Sequence, residues 1–113
     1  MRQNLIRMWL ISMFAAVLIA FCAGAARAQS VGETLFKAKC AMCHGPDGKG
    51  EVPMGKKLSA RNLGSTEVQG QSDAQLTEVV TKGKNKMPAY DGKLSKEQIA
   101  QLVAYIREFA KKH

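Results

Sequence analysis

Two cysteines and a histidine stand in one five-residue run, Cys40-Ala41-Met42-Cys43-His44. C-x-x-C-H is the attachment sequence of a c-type haem. Cysteines three apart at the end of a helix fall on one face, so both thiols can reach neighbouring vinyl groups of a single porphyrin. The thioethers formed there hold the ring covalently. The adjacent imidazole then lies under the iron and binds it through a ring nitrogen. Other chemistries use parts of the same run. A CxxC pair in an exported protein can close a disulfide or act as a thiol oxidoreductase, although that activity usually sits in a βαβ setting, which is absent here. Zinc needs four ligands, and the one other histidine is the distant His113. Haem attachment is the chemistry that uses all three side chains.

The elements around this run are helical. Val31, Leu35, Ala38 and Met42 recur at helical spacing and predict a short helix over 31–42, with Phe36 beside Leu35. Residues 45–70 are crowded with glycine and proline and read as loops, with Leu58 and Leu63 as isolated anchors. Ser72 with Gln75 three residues on forms a capping box for a second helix, which Gly83 ends. Lys84–Lys93 reads as another loop. Ser95 and Gln98 cap the last helix, whose stripe is Ile99, Leu102, Val103, Ile106 and Ala110. The fold class is all-α, with three to four helices and long loops. Loops that long in so small a domain imply that they wrap something.

Composition divides the 113 residues in two. Of the first 28, 21 are apolar and none is acidic; of the remaining 85, 31 are apolar. Arg2 and Arg7 precede an apolar run, and small residues close it at Ala26-Arg27-Ala28. Those are the parts of a secretory signal, and the expected cut lies between Ala28 and Gln29. The organisation is therefore 1–28 signal peptide and 29–113 folded domain, exported to a periplasm or its equivalent. A retained anchor is the alternative, since Met8–Ala26 could just span a bilayer. A lipid anchor on Cys22 is disfavoured by Phe21 before it, where a small residue is needed. The mature part keeps four aromatics, Phe36, Tyr90, Tyr105 and Phe109. It is short of core material, and domains of that kind recruit a disulfide, a metal or a cofactor. A covalent haem would fill the centre.

With the haem run and the two capped helices in place, the chain resembles the class I cytochromes c, small monohaem electron carriers. The resemblance spans residues 30–112. It rests on Gly32, Phe36 and Cys40 at four-residue steps in the first helix, and on Leu102 and Tyr105 three apart in the last. It implies one haem c on Cys40 and Cys43, and a close crossing of the terminal helices with Gly32 at the contact. Met87, in Lys86-Met87-Pro88, is similar to the family's Met-Pro ligand motif, which makes His44 and Met87 the axial pair. Of the other mature methionines, Met42 lies inside the haem run and Met54 on the histidine side by analogy. The family also implies a backbone carbonyl at a loop proline as partner of the histidine's second nitrogen, and Pro53 resembles that position. Arg61 and Lys57 are candidates for the haem propionates by charge alone.

The formal net charge is +8, and removing Arg2, Arg7 and Arg27 leaves +5 on the mature chain. Lys82, Lys84 and Lys86 flank Met87. A basic ring near an exposed haem edge steers a carrier to redox partners with acidic docking patches. Contact with membrane complexes would be small and transient. No nucleic-acid motif accompanies the charge. The expected function is a periplasmic one-electron carrier between respiratory or photosynthetic redox complexes, not an enzyme. Its rivals are a haem protein with an open sixth position, a haem subunit fixed in a larger oxidoreductase, and a haem-free thiol-redox protein.

Overall fold

The computed structural model describes residues 1–112, apart from the side chains of residues 25 and 28–30. The expected cut between Ala28 and Gln29, and His113, lie outside the described residues. Among the described residues six α-helices follow one another: α1 (Arg2–Lys39), α2 (Ala41–His44), α3 (Pro53–Leu58), α4 (Thr66–Gln69), α5 (Asp73–Lys82) and α6 (Lys96–Glu108), closed by a 3₁₀ turn at Phe109–Lys112. No strand occurs among the described residues, only isolated bridges between Lys84 and Met87 and between Asp91 and Leu94. The all-α class stands, with more helices than the three to four that the sequence pattern suggests.

Both capping boxes form. Ser72 Oγ accepts from the Gln75 N–H at 3.1 Å while Gln75 Oε1 accepts from the Ser72 N–H at 2.8 Å. Ser95 and Gln98 repeat the exchange at the same distances. Each box satisfies two backbone donors that a helix start otherwise leaves to water, and losing the serine would cost about 1 kcal/mol. From that start α6 buries Ile99, Leu102, Val103 and Ile106. Ala110 falls off the stripe and is exposed. The chain tightens into the 3₁₀ turn at Phe109, and Phe109 takes the inward position instead.

The C-terminal turns of α1 cross α6. A Cβ on Gly32 would run into the Gln101 carbonyl and lie 3.0 Å from Tyr105 Cβ, so the absence of a side chain sets the approach. One turn on, Phe36 is fully buried, with ring centroids 5.4 Å from Tyr105 and 5.1 Å from Phe109. Full burial of Phe36, Leu102 and Phe109 stabilises the crossing by roughly 1.5–3 kcal/mol each. The contact at Gly32 is the one the family resemblance implies, and it corrects the face expected from helical spacing. Val31, Ala38 and Met42 are exposed, and Leu35 is half-buried. Gly32 and Phe36 define the contact, and the helix breaks at Cys40 before Met42 could continue any stripe. The helix also does not begin near residue 31; α1 runs unbroken from Arg2.

Residues 45–70 are not plain loop. Pro53 opens α3, and Ser65 caps α4 by accepting from the Val68 N–H at 3.3 Å. Helices of six and four residues are too short to show a hydrophobic period, so no sequence signal of that kind exists for them. Leu63 and Val68 anchor the segment in the core, and Leu58 is half-buried. Two side chains tie it to α6. Gln69 Nε2 donates to the carbonyls of Leu63 at 2.7 Å and Ile106 at 3.0 Å. Arg107 donates to the Gln69 carbonyl at 3.0 Å and to Asp73 Oδ1 at 2.8 Å.

Candidate functional site

The haem run occupies the junction of α1 and α2. Cys40 caps α1, donating its N–H to the Phe36 carbonyl at 2.8 Å. The next turn is wound on the Cys40 carbonyl, which accepts from the N–H groups of Cys43 at 3.1 Å and His44 at 2.9 Å. Gly45, at φ 77°, ends α2, and the Gly50 N–H returns to the His44 carbonyl at 2.7 Å. Gly55 then packs against the carbonyls of Cys43 and Gly50, where no side chain would fit. Glycine is thus required to fold residues 45–55 back over the cysteine turn.

His44 Nδ1 lies 3.0 Å from the carbonyl oxygen of Arg61. A carbonyl only accepts, so Nδ1 carries the proton and Nε2 keeps its lone pair. Burial lowers the His44 pKa below the ordinary histidine value, with the bond to Arg61 opposing in part. The ring is therefore neutral near pH 7 and able to bind a metal through Nε2. Pro53, the proline expected to supply this carbonyl, instead stands at the first position of α3. The Arg61 side chain pairs with Glu67 at the surface. Lys57, the other propionate candidate, is exposed.

No disulfide joins Cys40 and Cys43. Burial, with Cys43 adding, pushes the Cys40 thiol up to about 11. Among the described residues no three His, Cys, Asp or Glu side chains converge as metal ligands, as a zinc site would need.

Met87 is carried on a closed turn. Its N–H donates to the Lys84 carbonyl at 2.9 Å and its carbonyl accepts from the Lys84 N–H at 3.1 Å. Asn85, at φ 53°, makes the reversal. Gly83, at φ 73°, stands so close that a Cβ would be 2.6 Å from the Met87 carbonyl. The Met87 side chain is half-buried against the hydrophobic core, as are Cys40, Ala41 and Tyr90. Met42 is 73% exposed and Met54 40% exposed. Tyr90, which the sequence marks only as one of the four mature aromatics, donates its hydroxyl to the Lys39 carbonyl at 3.0 Å. Burial raises its pKa, with smaller contributions from the Cys40 and Cys43 thiols.

A family model described as cytochrome c oxidase, cbb3-type, subunit III, matches residues 27–106. The cytochrome c6 of Limnospira maxima is 36% identical over 86 residues, covering 74% of this chain and 94% of that one. The chain belongs to the class I c-type cytochromes. A cytochrome c6 of Rippkaea orientalis is 39% identical over 108 residues, 94% of this cytochrome and 92% of the relative. Among solved structures, the KustC0563 c-type cytochrome superposes with a TM-score of 0.64 at 32% identity, covering 69% of this chain and 95% of that one. The cbb3-type oxidase subunit FixP of Bradyrhizobium diazoefficiens is 35% identical over 77 residues, 66% of this chain but 25% of FixP. The cytochrome is a small electron carrier with one covalent haem c. Its donor set fits that group: two cysteines three residues apart with no disulfide between them, an imidazole with Nε2 available, and a half-buried thioether.

Proposed function

We propose that this cytochrome is a periplasmic one-electron shuttle, with the haem attached through Cys40 and Cys43 and ligated axially by His44 and Met87. When bound, the haem supplies an Fe(II)/Fe(III) couple. The observation that carries the proposal is the His44–Arg61 hydrogen bond, which fixes the imidazole's tautomer and orientation as iron-ligating histidines require. Met87 presents its sulfur from a turn whose backbone is closed on Lys84. A thioether ligand raises the potential relative to a second histidine. Keeping both ligands in both oxidation states leaves little to reorganise. It also leaves no axial position for a substrate, so the protein is a carrier and not an enzyme.

The charge pattern supports a docking role. Lys82, Lys84 and Lys86 are exposed beside Met87. Their field favours redox partners with acidic patches and speeds encounter at low salt. Nucleic acid is not a partner in this proposal.

Residues 1–28 serve as the signal peptide and leave 29–113 as the mature cytochrome. The absence of acids before Glu33 supports this, as does a family match that begins at residue 27. A second possibility is retention as a membrane anchor, favoured by the length and mean hydropathy, 2.2, of the exposed helix Arg2–Gly24. Expression in a cytochrome-maturing host decides between them. Mass spectrometry of the periplasmic fraction should find a chain beginning at Gln29 with one haem, which stays bound on a denaturing gel. A chain retaining residue 1 in the membrane fraction would establish the anchor, and haem lost on the gel would defeat covalent attachment.

A further inference from the structure

The break between α1 and α2 leaves a backbone acceptor beside the haem run. In a continuous helix the Cys43 N–H would bond the Lys39 carbonyl, but it turns to Cys40 instead, at 3.1 Å. The Lys39 carbonyl is then an orphan of a helix end, one residue before the first haem cysteine. The Tyr90 hydroxyl meets it at 3.0 Å, from 51 residues along the chain.

Tyr90 is itself fixed. Its N–H donates to the Val80 carbonyl at 3.1 Å, and its carbonyl accepts from the N–H groups of Lys93 and Leu94, each at 3.0 Å. Three residues before it, Met87 is closed on Lys84. The Met87 segment is therefore a stiff unit with defined ends, and the Tyr90 hydroxyl joins it to the segment that carries Cys40. The ring packs against the same core as Cys40 and Met87. A phenylalanine would keep that packing and lose the bond.

We infer that Tyr90 is a positioning residue for the electron-transfer site, its hydroxyl tying the Met87 segment to the end of α1 so that the methionine sulfur stays seated. This rests on Met87 as the iron ligand. Without the tie, the Met87 segment opens more often, and exogenous ligands bind through that open state. The affinity of such a ligand rises in proportion to the population of the open form.

The test compares wild-type ferric holoprotein with Tyr90→Phe and with Tyr105→Phe, which removes a hydroxyl whose charged neighbours are Glu33, Lys37 and Glu108. The readouts are the weak far-red methionine–iron band and the affinity for cyanide. Tyr90→Phe should retain its haem and helical signal, bind cyanide about tenfold more tightly, and lose the far-red band at lower guanidinium than its helical signal. Tyr105→Phe should bind cyanide as the wild type does. Equal affinity in Tyr90→Phe and wild type overturns the tie alone, as does an equal rise in Tyr105→Phe. A wild type without the band overturns the Met87 ligation beneath it.

Discussion

The imidazole of His44 donates from Nδ1 to the carbonyl oxygen of Arg61 at 3.0 Å, across 17 residues of sequence. That contact links the haem run to the turn before α4. It relies on residues 45–61 folding back over α2, which Gly50 and Gly55 permit: a Cβ on either would meet backbone carbonyls. The partner is a main-chain oxygen, so the Arg61 side chain is free to do something else, and it pairs with Glu67.

Arg61→Ala should therefore leave the haem spectrum unchanged, because the carbonyl remains. The exposed ion pair with Glu67 is worth at most about 1 kcal/mol, so stability should fall little. A high-spin ferric spectrum in this variant would show that the guanidinium, and not the carbonyl, supports His44.

Met87→Ala should keep the covalent haem and lose the far-red band. The vacated position should admit cyanide or imidazole in the ferric protein and carbon monoxide in the ferrous protein. Ligand titrations check this. A variant that keeps the wild-type low-spin spectrum and excludes ligands would mean that another side chain binds the iron.

Gly32→Val should destabilise the fold by about 1–3 kcal/mol, the usual cost of forcing atoms into a packed contact. The valine would have to displace the Gln101 backbone or separate α1 from α6. Guanidinium titration followed at the helix signal measures the loss. An unchanged midpoint would mean that the two helices do not depend on this close approach.

The residues explain how far the sequence could be read. Ile99, Leu102, Val103 and Ile106 keep a full helical period, and both Ser-x-x-Gln caps are local patterns, so α5 and α6 are legible. Gly32 and Tyr105 were identifiable through the family resemblance. Helical spacing alone misplaces the contacting face of α1, because Val31, Ala38 and Met42 also repeat at that spacing; the resemblance marks the right one through Gly32 and Phe36. The short helices α3 and α4 carry no period. The Arg61 carbonyl carries no side-chain signature, and a proline eight residues earlier stood in its place by analogy. Tyr90 was visible as an aromatic. Its hydroxyl's partner exists only because the helix breaks at Cys40, which nothing in the local pattern announces.

Electron transfer to an acidic redox partner should slow as ionic strength rises, since the Debye length shrinks from about 30 Å at 0.01 M to about 10 Å at 0.1 M. Replacing Lys84 and Lys86 by glutamine should reduce both the rate at low salt and its salt dependence. Stopped-flow kinetics with an acidic acceptor protein report both. A flat salt response would remove the lysines from docking.

The most direct measurement is the absorption spectrum of purified wild-type ferric holoprotein. Ligation by His44 and Met87 predicts a low-spin spectrum with the weak far-red band of a methionine–iron bond, lost in Met87→Ala. A high-spin spectrum, or a low-spin spectrum without that band, would contradict it.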